Sequence, residues 1–348
     1  MNKEVQQKSG KEPKKKRKYI ILLFLAVSAL ILLMNVSIHK EEATPQEMNF
    51  VSCIGRLKEP QGMIQVVFEK LFFKSELDID VATQVDIERA GLCKNLKKLL
   101  LAVNERLSIK PIANLTDLEE LFISVGTKSP LDLSPIGEMT QLKTLYMFEY
   151  YEQTHDVSSL LGNLKELERL DVMRFRVKDL SFLRGMTKLK YLTVYYVADA
   201  DLSYLENAGV LEDFLYLQGY RIRNLECLSE ATKLRSIFLW EMEENPLMRE
   251  YIDMEVFSQM QALERMVLVQ LKVDDLTPIS ELPNLEEIIL VDIGVEDIRC
   301  LASLPNLKSL EIYGENAEQL KEQAQQYLTG LEFIRAEESI PRMYQRHF

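Results

Sequence analysis

The chain has 348 residues, 47% hydrophobic and 28% charged, with a formal net charge of −12, the composition of a folded protein and not of a disordered one. Residues 1 to 18 carry eight Lys/Arg against two Glu, which leaves −18 on the remaining body and argues against nucleic acid as a partner. Four cysteines are too few for a disulfide scaffold at this length.

The segment 1–18 is polar and ends in Lys14-Lys15-Lys16-Arg17-Lys18, which predicts a solvated basic tail. Tyr19 to Ile38 then runs without a charge, long enough as a helix to span about 30 Å of hydrocarbon. Lysines just before it place the N-terminus in the cytoplasm by the positive-inside rule, so the rest lies outside. A cleaved signal peptide is the competing reading. It wants a small-residue cleavage site, and no Ala-x-Ala follows the apolar run, so an uncleaved signal anchor is expected.

Residues 39 to 59 form a polar spacer, and residues 60 to 95 an N-terminal cap with a degenerate repeat. Within it, Ile64, Val67, Phe68 and Leu71 fall on one face of a helix over 63–73. Leu77 and Ile79 alternate with Asp78 and Asp80, as in a strand. Cys93 falls on a repeat core position, where a buried free thiol is an ordinary core residue, and pairing with Cys53 across this cap is the alternative.

From Leu96 to Glu315 the sequence repeats. Units start at Leu96, Leu118, Leu142, Leu167, Leu189, Leu211, Leu234, Leu263, Leu285 and Leu307, mostly about 22 residues apart, and in each the fourth and sixth residues are apolar. Alternation predicts a strand with its fourth and sixth side chains inward and its fifth and seventh outward, and stacked units predict a parallel sheet. A second element recurs behind the strand: Asp132-Leu-Ser-Pro-Ile136, Asp179-Leu-Ser-Phe-Leu183, Asp201-Leu-Ser-Tyr-Leu205 and Asp275-Leu-Thr-Pro-Ile279. Apolar positions three apart, with Pro tolerated, predict short 3₁₀ or irregular turns. Cys227 and Cys300 stand at the same place in units three apart, roughly 14 Å at ~4.8 Å per strand, too far to bridge. Residues 316 to 348 predict a C-terminal cap, with a helix over 316–328 started by Asn316 and a last strand at 331–334.

This pattern resembles the short leucine-rich repeats of bacterial internalins, over roughly residues 77 to 335. The resemblance implies an α/β solenoid, a horseshoe with a parallel concave sheet and a thin convex side of 3₁₀ or irregular turns, here behind an N-terminal transmembrane helix. It also implies Asn at the ninth position of each unit. That place holds Asn104 and then Gly126, Tyr150, Phe175, Val197, Gly219, Met242, Leu271, Ile293 and Glu315, so the backbone groups that an Asn ladder would satisfy need other partners.

Catalytic residues are scarce. The three histidines, His39, His155 and His347, suggest neither a triad nor a metal site, no phosphate loop is present, and no cofactor is expected. Glu119-Glu120 and Glu286-Glu287 are carboxylate pairs at positions where Lys and Arg alternate in other units, as on a solvated face. The outward positions are more informative. Phe122, Tyr146, Phe148, Met173, Tyr195, Tyr196, Leu217, Phe238 and Trp240 are expected on the concave face, an apolar stripe of the kind that docks a protein or peptide. The competing reading is that neighbouring strands' side chains cover one another, or that caps and loops fold over that face. Glu149–His155 and Glu241–Glu255 extend the turns at its rim.

The sequence therefore points to a non-catalytic, membrane-anchored binding module on a cell surface. A scaffold subunit of an envelope complex is one alternative, and an envelope hydrolase using the carboxylates is another.

Overall fold

The structure is a computed structural model that describes residues 75–79, 82–93, 95–151, 154–205, 208–243, 249 and 251–340. The chain divides into two compact units, 1–56 and 57–348, and all described residues belong to the second. The basic tail, the apolar segment Tyr19–Ile38, the spacer, the helix over 63–73 and Cys53 lie outside the described residues. Among the described residues no helix is long and apolar enough to cross a membrane.

The described chain forms one 13-stranded parallel sheet. Its strands are β1 (Glu76–Ile79), β2 (Lys98–Val103), β3 (Glu120–Val125), β4 (Thr144–Glu149), β5 (Arg169–Met173), β6 (Val177–Asp179), β7 (Tyr191–Asp199), β8 (Phe214–Gly219), β9 (Ser236–Glu241), β10 (Arg265–Val269), β11 (Glu287–Val291), β12 (Ser309–Tyr313) and β13 (Phe333–Glu337). Every strand except β6 lies beside its neighbours in chain order, and β6 pairs with β7 as a short side branch. The degenerate first repeat takes full part, with Leu77 opposite Leu99 and Ile79 opposite Leu101.

The inward leucines, isoleucines and valines merge into one continuous core from Ala82 to Ala336, because each unit buries its apolar edge on the next. Behind the strands run 3₁₀ turns and short helices: α1 (Gln84–Ala90), α2 (Ser134–Gly137), α3 (Ser158–Leu161) and, closing the array, α4 (Ala317–Tyr327). Asn316 precedes α4 but does not cap it with its side chain; its amide donates to the carbonyl of Val295 in the previous unit. The last strand lies slightly beyond its expected place, with Ile334 and Ala336 continuing the rows of Leu310 and Ile312.

The recurring Asp-Leu-Ser/Thr element is an Asx turn that opens the short helical segment behind the strand, the helix α2 after Asp132 and 3₁₀ turns after Asp179, Asp201 and Asp275. Asp132, Asp179, Asp201 and Asp275 accept the amide two residues on, at 3.0, 2.8, 2.9 and 2.8 Å, and Asp297 does the same at 2.9 Å. Hydrogen bonds from Ser134, Ser203, Thr277 and Arg299 hold the carboxyls of Asp132, Asp201, Asp275 and Asp297 below the ordinary range, Asp201 and Asp297 down to about 2. A carboxyl whose folded pKa is depressed contributes stability above its unfolded value of about 3.9 and loses it as pH falls through the folded value. The contribution of these turns should therefore be steady above pH 5 and lost between about pH 4 and 2, seen as a falling midpoint in circular-dichroism melts across that window.

The carboxylate pairs lie on the strand-entry edge. Glu119 takes Lys97 at 3.0 Å and Lys143 at 2.7 Å, Glu286 takes Lys308 at 2.8 Å, and Glu287 takes Arg265 at 2.8 Å, each from a neighbouring unit. Exposed pairs of this kind contribute little, so Glu286→Ala should change the unfolding free energy by under ~1 kcal/mol in urea titration.

Candidate binding face

Strand exits come in two kinds. In β2, β3, β4 and β9 the strand runs six residues and its last side chain, Val103, Val125, Glu149 or Glu241, turns inward and is buried. In β5, β10 and β11 the strand stops one residue earlier, and Arg174, Gln270 and Asp292 take left-handed backbone with φ of 68°, 55° and 51°. Tyr196 does the same inside β7 at φ 63°, where the register with β8 shifts. That reversal turns the ninth residue inward, so Phe175, Val197, Leu271 and Ile293 are buried where a ladder of Asn was implied. An apolar row thus replaces the polar one in this set.

In the other set a buried carboxylate does the hydrogen bonding. Glu241, 2% exposed, accepts the amides of Arg221 at 3.2 Å, Ile222 at 2.9 Å and Glu243 at 2.9 Å. Glu149, fully buried, accepts the amides of Thr154 at 3.2 Å and His155 at 3.4 Å and meets His155 Nδ1 at 2.5 Å. Burial pushes the Glu149 carboxyl up, and the His155 hydrogen bond pulls the other way. The amide of Leu131 donates to His155 Nε2 at 3.2 Å, so the ring ties two successive rim turns together. His155 is thus a buried structural crosslink, which its place in a polar loop did not signal. Both extended rim segments start from one of these glutamates, and Arg249 of the second is buried, donating to the Glu243 carbonyl at 3.0 Å and to Asp292 at 3.4 Å.

The outer face of the sheet carries most of the expected stripe. Phe122, Tyr146, Phe148, Met173, Tyr195, Tyr196 and Phe238 are half-buried there. Phe122 and Tyr146 stack at 5.9 Å, and Tyr195, Tyr216 and Phe238 form a tighter stack with centroids 4.3 and 4.1 Å apart. Burial pushes the Tyr195 and Tyr146 hydroxyls above their ordinary value, in Tyr146 with help from the negative Asp171.

Two expected members change place. Leu217 is fully buried on the inner face, because β8 pairs Leu215 with Leu192 and Leu217 with Val194. One extra residue follows Leu211: Arg235 and Ser236 bond separate carbonyls, Glu212 and Asp213, where the neighbouring unit's Glu264 and Arg265 share that of Arg235. A one-residue slip exchanges the faces of a strand, so Tyr216 and Gln218 point outward instead. Tyr216 is the member of the stripe that the pattern missed, and reading back from Phe238 by one repeat length finds it.

Trp240 is on the outer face but only 4% exposed. With Val267, Val269, Ile289, Val291 and Tyr313 it forms a second apolar cluster, separate from the core, against which Phe238 and Ile340 pack. The outer face thus carries a buried apolar cluster from β9 to β12, and its half-exposed aromatics lie from β3 to β9. Among the described residues no group of His, Cys, Asp and Glu is placed to hold a metal ion, and Cys227 and Cys300 are separate half-buried thiols.

No family model matches the sequence, and no curated protein matches it. Solved structures do match. An internalin, inlF, from Listeria monocytogenes aligns over 79% of this chain and 85% of its own at 21% identity with a TM-score of 0.50. The internalin C2, inlC2, of the same organism aligns over 66% and 84% at 20% identity with a TM-score of 0.40. The structure of PEPR1-AtPEP1 aligns over 75% of this chain and 38% of that one at 14% identity with a TM-score of 0.52. At such identities the likeness concerns architecture alone, and with the parallel sheet and its repeat it gives the fold of this chain: a leucine-rich-repeat solenoid.

Proposed function

We propose that this chain is a non-catalytic binding module that takes a protein or peptide on the outer face of its sheet, between β3 and β9. One observation carries the reading: Phe122, Tyr146, Phe148, Tyr195, Tyr196 and Phe238 stay half-exposed along the outer face of successive strands from β3 to β9. A row of aromatics on rigid strands offers large contact area at little entropic cost. Tyr150 and Tyr151 on the rim are 57% and 43% exposed, and Tyr150 meets Phe148 edge-on at 5.1 Å, so the stripe continues onto the rim. Met173 lies within the same band, and Leu217 drops out.

The likenesses to PEPR1-AtPEP1 and to the internalin inlF are compatible with such a role without assigning it. We infer further that the apolar segment Tyr19–Ile38 anchors the repeats outside a membrane, which the lysines before it support. The carboxylate pairs Glu119-Glu120 and Glu286-Glu287 are engaged in edge ion pairs, and Glu241 in backbone hydrogen bonds.

The test is partner capture from extracts of the native source by the full chain and by Phe148→Ala/Tyr195→Ala. Two interface aromatics at about 2 kcal/mol each should weaken capture more than a hundredfold, with an unchanged thermal midpoint. Equal capture by the double variant would remove the stripe from the binding site. Protease added to intact cells should degrade the repeats, and their full protection would reverse the topology.

A further inference from the structure

The two edges of the sheet treat their cations differently. On the strand-entry edge they are neutralised from unit to unit. Besides the pairs of Glu119, Glu286 and Glu287, Lys188 meets Glu166 at 2.5 Å, Lys190 meets Glu168 at 3.4 Å, Lys233 meets Glu212 at 3.3 Å and Arg235 meets Glu264 at 2.8 Å. On the exit rim from β3 to β8 the carboxylates are withdrawn. Glu149 and Glu241 are buried and taken up by backbone amides, Asp156 holds Lys178 at 3.2 Å, and Asp199 and Asp201 share Arg223. Three exposed cations are left there, Lys128, Arg176 and Arg221, and among the described residues no carboxylate pairs with any of them.

These three stand two or three residues past the ends of β3, β5 and β8. At about 4.8 Å per strand they follow one another at intervals of roughly 10 Å, about 19 Å in all, which an extended chain covers in about six residues. Their places are fixed. The amide of Arg176 donates to the His155 carbonyl at 3.0 Å, that of Arg221 donates to the buried Glu241 at 3.2 Å, and the Lys128 ammonium lies 4.7 Å from the centre of the Tyr151 ring. Tyr150, Tyr151 and Tyr220 are exposed on the same rim, and Tyr150 leads from it to Phe148 on the stripe. Cations and aromatics therefore stand side by side along one line.

We propose that the partner of the outer face is an acidic peptide segment, with its apolar side chains on the stripe and its carboxylates along Lys128, Arg176 and Arg221. The proposal rests on the reading of the outer face as the binding face and names the chemistry of what that face takes. Net charge alone points the other way, since a body of −18 attracts cations. At physiological salt, however, a charge is screened beyond about 8 Å, so a bound segment responds to the cations it touches more than to distant carboxylates. Arg176 and Arg221 add geometry, because a guanidinium meets a carboxylate through two parallel N–H groups.

The probe is a library of synthetic peptides of about seven residues, long enough to span the three cations, in which Leu, Phe and Tyr alternate with positions drawn equally from Glu, Gln and Lys. It is offered to the immobilised full chain, and the captured peptides are read by mass spectrometry. Glu should be enriched about tenfold over Gln at about 0.1 M salt, with Lys depleted, and the preference should vanish near 1 M, where the screening length falls to about 3 Å. Lys128→Gln/Arg176→Gln/Arg221→Gln should lose the preference, and Lys190→Gln/Lys233→Gln on the entry edge should keep it, with the far-ultraviolet circular dichroism of both unchanged. A preference for Gln or Lys, no capture of any peptide, or a Glu preference that the rim variant retains would overturn the proposal. Oligothymidylate that displaces the captured peptides from the rim more readily than Glu-rich peptides do would overturn it in favour of nucleic acid. Capture without charge preference that Phe148→Ala/Tyr195→Ala abolishes would sink the acidic partner and leave the stripe standing. A Glu preference that survives in Phe148→Ala/Tyr195→Ala would keep the acidic partner and remove the stripe.

Discussion

Glu241→Ala is expected to lower the unfolding free energy by about 3–5 kcal/mol. The carboxylate is 2% exposed and accepts three backbone amides, of Arg221, Ile222 and Glu243. Alanine removes the acceptor and leaves those donors where water enters poorly, a cost of about 1–3 kcal/mol for each donor that stays buried. Arg221, at φ 56°, is held in left-handed backbone at the same turn, so losing its acceptor also releases a conformation that costs energy to keep. Glu241→Gln keeps one acceptor oxygen and should lose about half as much. Hydrogen exchange at Ile222 provides the local check, since protection there should collapse before the sheet unfolds. An Ile222 amide that stays protected in Glu241→Ala would mean that another acceptor serves the turn.

Leu217→Ala should cost about 2–5 kcal/mol, the penalty for emptying a filled core position. The same residue on the outer face would cost under about 1 kcal/mol and would change partner capture instead. The pair of measurements therefore decides which register β8 keeps. In the observed register, Leu217 sits opposite Val194 and Leu239 in the inner row. Capture by Leu217→Ala, measured below its melting temperature, should match that of the parent chain. Tyr216→Ala is the complementary variant: it breaks the stack between Tyr195 and Phe238 and should weaken capture by about tenfold.

The sheet was legible because the inward leucines of successive strands recur at near-constant spacing, and a period-two pattern built on leucine leaves little freedom of register. It failed at β8, where the run from Phe214 to Leu217 is apolar throughout and either alternation fits. There the first leucine of the unit misled, and only the next unit's strand carried the correct phase. The outward direction of Trp240 was legible, but its burial was not, because the cluster it joins draws its other members from later units, as far as Tyr313. Glu149, Glu241 and His155 escaped notice for another reason. A pattern of apolar and polar residues assigns charged side chains to solvent, and these three are inside because the turn beside each supplies amides to receive them.

The two kinds of strand exit divide the array into parts that are not interchangeable. From β10 to β12 each unit has a short strand followed by left-handed backbone, at Gln270, Asp292 and Gly314, each one repeat length after the last. Cutting one such unit out, for instance residues 270–291, would join like to like, and the shortened chain should stack in phase. A cut of equal length made across β8, from 197 to 218, would join an exit of one kind to a turn of the other and lose the extra residue that sets the phase of the following strands. This molecule should therefore accept changes of length at one end of its repeat array and refuse them in the middle.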